Sequence, residues 1–125
     1  MTLIFAYGSL MKGFWNDWLL QTSEFITHGI TEEKYLLTVS DQTIPKVSQR
    51  KRAYQIKGEL YRVNDSVLEE LDSHEGNGDI YFRTPIKVLG NDGCVYTAGI
   101  YLNPSDDGED LENGDYREYV LKHKI

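Results

Sequence analysis

The chain has 125 residues, 40% hydrophobic and 12% aromatic, a size and composition that suit one compact domain over residues 1–125 and exclude a disordered chain. Thirteen basic against twenty acidic residues leave a net charge of −7, a field that repels phosphate backbones and anionic lipid, so neither nucleic acid nor membrane is an expected partner. The lone cysteine, Cys94, has no internal partner, and the early apolar run at residues 3–7 is far short of the roughly 20 residues of a membrane span, with no basic leader before it; a soluble, cytoplasmic chain is expected.

In chain order, Leu3-Ile4-Phe5-Ala6-Tyr7 stopped by Gly8 reads as a buried first strand, and residues 9–13 as a loop. Phe14, Trp15, Trp18 and Leu19 recur at helical spacing and predict a short helix over 14–20. Residues 24–28 and the stretch from Tyr35 read as strands around a turn at Gly29. Tyr54, Ile56, Gly58 and Leu60 alternate with Gln55, Lys57, Glu59 and Tyr61, the pattern of a half-buried strand. Asn64, Asp65 and Ser66 are each good N-caps, with Glu69 three residues beyond Ser66; the helix they start should reach about His74 and end at Gly76. Residues 81–89 and 94–102 read as two strands joined by the hairpin signal Gly90-Asn91-Asp92-Gly93. An acidic loop over 103–115 and a short helix over 116–121 complete the chain. About six strands and two or three short helices, with hairpin links dominating, predict an α+β fold built on a small open or closed barrel.

Two places carry candidate chemistry. On the helix starting near Asn64, Val67, Leu68 and Leu71 form the apolar stripe. At about 100° per residue, Glu75 falls roughly 40° from Leu71 and so inside that stripe. A carboxyl facing the core from the last helical turn meets both desolvation and an opposing helix dipole, which raise its pKa toward the range of a general acid/base. The competing reading has the helix fray and leaves Glu75 exposed beside Gly76-Asn77-Gly78. The second place is Tyr7-Gly8-Ser9-Leu10, where a strand breaking at glycine can turn successive N–H groups inward as a nest for a carboxylate or phosphate, with the Ser9 hydroxyl as an added donor. An ordinary strand-to-helix turn is the competing reading. Ser9 stands in no Gly-x-Ser-x-Gly elbow, so serine nucleophile chemistry is not expected.

Other features carry less. His28, His74 and His123 are scattered and none neighbours Cys94, so no metal is expected. The acids at 106, 107, 109, 110, 112 and 115 fail the EF-hand spacing, since Gly108 at the sixth position puts Gly114 where the bidentate glutamate belongs. They read as a solvated loop. Lys46, Arg50, Lys51, Arg52 and Lys57 read as a basic hairpin surface, and Cys94 as a small hydrophobe packed in a strand.

The same pieces together resemble the gamma-glutamyl cyclotransferase superfamily, in its gamma-glutamylamine cyclotransferase-like branch. Phe5-Ala6-Tyr7-Gly8-Ser9-Leu10-Met11-Lys12-Gly13 resembles the signature loop, and Gly58-Glu59-Leu60-Tyr61 the central strand. Leu71-Asp72-Ser73-His74-Glu75-Gly76 with Tyr81-Phe82-Arg83 resembles the catalytic helix end and the strand after it, and Gly114-Asp115-Tyr116 a closing motif, so the likeness runs from about residue 3 to 118. The resemblance implies a small mixed, mostly antiparallel β-barrel with flanking helices and a central cavity. It implies Glu75 as general acid/base and the loop Tyr7, Gly8, Ser9, Leu10 as the holder of the substrate's α-carboxylate through backbone N–H groups. The expected reaction closes a γ-glutamyl amine or amino acid to 5-oxoproline and frees the amine, without metal or cofactor. Tyr81 and Tyr116 are possible lining residues with packing as their default role, and His74 lies about 100° round the helix from Glu75. A rival from another class is a non-catalytic module that binds a small carboxylate-bearing metabolite in the same cavity.

Overall fold

The computed structural model describes residues 1–40 and 44–123. Its elements are β1 (Thr2–Ala6), a 3-10 turn (Asp17–Leu20), β2 (Glu24–Thr31), β3 (Leu36–Ser40), β4 (Ile44–Ser48), β5 (Lys57–Val63), α1 (Asp65–Glu75), β6 (Phe82–Gly90), β7 (Val95–Leu102), β8 (Glu109–Asp110) and α2 (Tyr116–His123). Strands β1, β5, β2, β6 and β7 pair antiparallel in that order, and a parallel pair, Ile4 with Gly99, joins β7 back to β1. The result is a five-stranded mixed barrel. Beyond that seam β7 turns to a different neighbour, meeting β4 in parallel at Val47 and Leu102, and the β3–β4 hairpin with β8 extends the sheet outward. Ile4, Phe5, Leu60, Val88 and Ile100 are buried in one hydrophobic core, which Leu71 of α1 joins.

Local chemistry explains the elements that sequence predicts well. The Asn64 side chain accepts the Val67 N–H at 2.8 Å, opening α1 where a cap was expected. Gly76 takes the left-handed conformation at φ +63°, which a side-chain-bearing residue adopts at a cost, and the Asn77 N–H returns to the Asp72 carbonyl at 2.9 Å. The β6–β7 hairpin turns at Gly90-Asn91-Asp92-Gly93, with the Gly93 N–H donating to the Gly90 carbonyl at 3.0 Å.

Tertiary bonds overrule the local pattern elsewhere. The helix expected over 14–20 shrinks to one 3-10 turn at Asp17–Leu20. An α-helix needs the Asn16 N–H on the Lys12 carbonyl; instead Asn16 donates to Ser9 O (3.1 Å), and Lys12 O accepts the Arg117 guanidinium (2.6 Å). Gly29 is no turn: β2 runs through it between Gly58 and Gly90, and a Cβ there would lie 2.7 Å from the Leu89 carbonyl oxygen. The reversal comes after Thr31, whose hydroxyl donates to the Glu33 carbonyl. The strand expected from Tyr54 starts at Lys57, and Tyr54 makes a single bridge to Tyr35.

Burial also departs from the simple alternation. Glu59 is only 3% exposed, because the segment after β1 and helix α2 cover its face of β5. Its carboxylate accepts the Lys12 N–H (2.9 Å), the Tyr61 hydroxyl (2.9 Å) and Arg117 Nη2 (3.1 Å). The expected basic surface is divided, since Lys46 is buried in β4 with Nζ on Ser105 Oγ. The acidic loop is tied down at β8, where Asp110 takes the Tyr54 hydroxyl at 2.6 Å. Cys94 is exposed at the end of the β6–β7 turn rather than packed. Among the described residues no helix is long and apolar enough to cross a membrane.

Candidate active site

Parallel strands that touch once and then pair with different neighbours leave a crevice between their C-terminal ends, the geometry of a topological switch point. Here β1 and β7 part after Ile4 and Gly99, and the crevice is a cavity of about 330 Å³. Phe5, Ala6 and residues 7–10 line it together with Pro45, Glu75, Tyr81 and Tyr101. Trp15, Asn16, Ile44 and His74 line the same cavity and are the members that reach toward solvent. The Tyr7 hydroxyl crosses the fork and donates to the Tyr101 carbonyl at 2.8 Å. Burial, and then the nearby Tyr81 and Glu75, hold the Tyr7 phenol well above its usual range, so what Tyr7 has left to offer a ligand is its backbone.

The loop after Tyr7 is a tight turn closed by the Met11 N–H on the Gly8 carbonyl at 3.0 Å. Gly8 is required for a reason the sequence does not show: a Cβ would lie 2.5 Å from Cγ of Pro45. Its φ is not positive, so the turn is not the left-handed nest that a glycine break permits. Among the described residues no acceptor takes the N–H of Ser9 or Leu10. Asn16 braces the turn twice, through its N–H on Ser9 O (3.1 Å) and its Nδ2 on Ser9 Oγ (2.9 Å). Acting as acceptor there leaves the Ser9 hydroxyl proton able to donate elsewhere.

Glu75 is the last residue of α1, and the helix holds to that point instead of fraying. It continues the stripe of Val67, Leu68 and Leu71, and it lines the cavity. Burial pushes its carboxyl up to about 7. Its charge in turn raises Tyr7, Tyr81 and Tyr101, which marks the three phenols as its neighbours. Tyr81, pushed up to about 12 mainly by burial, donates its hydroxyl to the Pro45 carbonyl at 3.1 Å.

A second layer holds the helix end. Arg83 grips Asp72 with Nε and Nη2 at 2.9 and 3.1 Å, and the Tyr101 hydroxyl donates to Asp72 at 2.8 Å. Burial alone would raise Asp72, but these hydrogen bonds outweigh it and hold the carboxyl below its usual value. Asp72 and Arg83 both stand in the motifs quoted above, yet nothing in their spacing pairs them. Tyr101, Pro45, Asn16 and Trp15 went unread for the same reason, since contacts from distant strands and turns bring them together. Tyr116 is not a lining residue: it is fully buried elsewhere, against Phe14 (5.5 Å) and Trp15 (6.4 Å). His74 does line the cavity, with its ring edge-on to Trp18 at 6.3 Å.

The fold is a small mixed barrel whose cavity is lined both by a raised-pKa carboxyl residue, Glu75, and by the turn of Ser9 and Leu10. The family described as gamma-glutamyl cyclotransferase, AIG2-like, matches residues 4–118. A Methanocaldococcus jannaschii protein bearing the provisional name gamma-glutamylcyclotransferase is 38% identical over 120 residues, covering 95% of this chain and 98% of its own. Gamma-glutamylaminecyclotransferase C of Danio rerio is 36% identical over 110 residues, 78% of this chain and 72% of that protein. Among solved structures, an AIG2-like protein of Mus musculus superposes with a TM-score of 0.84 at 24% identity, covering 93% of this chain and 88% of that one. The chain belongs to the AIG2-like gamma-glutamyl cyclotransferase family.

Proposed function

We propose that this chain cyclises a γ-glutamyl amine or amino acid to 5-oxoproline and releases the free amine, with Glu75 as general acid/base and the turn after Tyr7 as the α-carboxylate site. The observation that carries this reading is one cavity lined both by Glu75 and by Ser9 and Leu10, whose N–H groups have no acceptor among the described residues. Those N–H groups, with the Ser9 hydroxyl, suit a carboxylate. Anchored there, the substrate can fold its α-amine onto its own γ-carbonyl. The new C–N bond closes a five-membered ring, the tetrahedral carbon collapses, and the original amide C–N bond breaks. The α-ammonium sheds two protons on becoming the ring N–H. One passes to solvent as the amine becomes nucleophilic, and Glu75 takes the other and returns it to the leaving nitrogen, which departs as the neutral amine.

Because the nucleophile is the substrate's own amine, the reading calls on no cofactor. Selecting the folded conformer can contribute roughly 7–11 kcal/mol toward the barrier. Proton transfer through a carboxyl poised near neutrality adds roughly 10²–10⁴-fold. A cytoplasmic location belongs to the same reading and is supported by the exposed, unpaired thiol of Cys94.

The test is 5-oxoproline release from a panel of γ-glutamyl amines and γ-glutamyl amino acids by the wild type and by Glu75→Gln. The expected result is release by the wild type and a loss of about 10²-fold or more in kcat for a folded Glu75→Gln. A folded variant with unchanged kcat would remove Glu75 from the chemistry. Silence of the wild type across the panel, with a carboxylate ligand still bound, would favour the binding module.

A further inference from the structure

We infer that Glu59 and Arg117, neither of which lines the cavity, are positioning residues for its carboxylate-binding turn, so that the last helix sets substrate affinity through one side chain. The inference rests on the reading above and deepens it. The turn is closed by the Met11 N–H on the Gly8 carbonyl, and β1 leads into it from Ala6. The chain leaving the turn must be held as well, or the N–H groups of Ser9 and Leu10 lose their direction. Lys12, the first residue past Met11, is held at both of its backbone groups. Its N–H donates to Glu59 Oε1 at 2.9 Å, and its carbonyl accepts Arg117 Nη2 at 2.6 Å. The same Nη2 donates to Glu59 Oε2 at 3.1 Å, so carboxylate, guanidinium and Lys12 backbone form a closed set.

The cost of this set argues for a geometric purpose. The Glu59 side chain is 4% exposed, and an ion pair buried on one side is often replaced by apolar residues with no loss of stability. What apolar residues do not supply is direction. Both bonds to Lys12 have an ionised partner, the shorter and stronger class of hydrogen bond. Neither ion is free to turn: the Tyr61 hydroxyl also donates to Glu59 Oε1, at 2.9 Å, and the Arg117 guanidinium stands 4.8 Å from the centre of the Phe14 ring. Helix α2 supplies none of the cavity lining, so the path from Arg117 to a bound substrate runs through Lys12 and the turn.

The experiment is steady-state 5-oxoproline release from the best substrate of the panel above, by the wild type, Arg117→Met, Arg117→Lys and Val120→Ala. Folded Arg117→Met should raise KM roughly tenfold with kcat within about twofold of the wild type and the midpoint of its pH profile unmoved. Arg117→Lys, which keeps a cation for both acceptors, should recover most of that KM. Val120 is buried on the same helix and makes none of these bonds, so Val120→Ala should lower stability and leave KM alone. An unchanged KM in folded Arg117→Met, or an equal rise in Val120→Ala, overturns the positioning role while the cyclotransferase reading stands. Should Arg117→Met not fold, Glu59→Gln carries the test: it keeps an acceptor for Lys12 but gives up the ion pair, and KM should rise about threefold, an unchanged KM overturning the role. If the wild type releases no 5-oxoproline from any member of the panel, the cyclotransferase reading fails and the positioning role falls with it.

Discussion

Glu75 titrates near 7 because burial makes its charged form costly, and this ties one residue's chemistry to the stability of the whole chain. The ordinary carboxyl loses its proton near 4.5, so between 4.5 and about 7 the folded chain holds a proton that the unfolded chain has released. Stability therefore falls as pH rises through that window, and the full penalty is present above it. Glu75→Gln removes the titration. Urea unfolding should find the variant level with the wild type at pH 4 and more stable at pH 8, by up to roughly 3 kcal/mol. An offset that is the same at both pH values would mean burial is not what raises the group. On the proposed reading, activity moves the opposite way, since the carboxylate form accepts the proton: kcat/KM should climb as pH passes about 7. Gly8 gives a second test at this scale. Its Cβ position lies 2.5 Å from a proline ring that cannot swing aside, so Gly8→Ala must push the turn away from Pro45. We expect about 1–3 kcal/mol of lost stability and a KM raised roughly tenfold with kcat less affected, measured by denaturation and steady-state kinetics. Sequence marks Gly8 as special but not its cause, because Pro45 comes from a strand whose apolar pattern is too thin to read.

The helix that carries Glu75 was legible because its signals are local: an Asn cap, a stripe at helical spacing and a glycine at the end. Its counterpart before β2 was not, because the bonds that break the helical pattern there come from Ser9 and Arg117, one on a preceding turn and one on the last helix. What aims Glu75 is likewise non-local. The Asp72–Arg83 fork, three residues before Glu75, pins the last turn of α1 to β6, while Tyr101 ties the same carboxylate to β7. Asp72→Asn should cost about 1.5–3 kcal/mol, toward the lower end because both partners keep some solvent contact. A double-mutant cycle with Arg83→Gln should return a coupling of about 1 kcal/mol. If the pair positions Glu75 and does more than stabilise the fold, Asp72→Asn lowers kcat about tenfold with KM nearly unchanged. A fall in stability with kcat intact would limit it to a structural tie.

At the scale of the molecule, composition and patterning reach an α+β barrel, but not how it closes. Periodicity tells which face of a strand is buried and says nothing about which strand lies beside it, so the parallel meeting of β1 and β7 was out of reach of the residues alone. The same holds for Glu59, whose burial depends on two remote segments folding over one face of β5. That closing seam has a further consequence. One parallel pair, Ile4 with Gly99, joins strands some 95 residues apart in sequence, and beyond it the barrel wall is bridged by the Tyr7–Tyr101 bond. On the proposed reading, a substrate anchored at Ser9 and Leu10 on one side and facing Glu75 on the other spans this gap, so that occupancy would act as a clasp on the barrel itself. In Glu75→Gln loaded with uncleaved substrate, amide hydrogen exchange should slow along residues 4–8 and 99–102, away from the turns at the opposite end. Exchange that slows evenly over the chain, or only in α1, would mean the ligand does not close the seam. A barrel latched by its own substrate would be at its loosest when product leaves, making the opening of this wall a natural step for release.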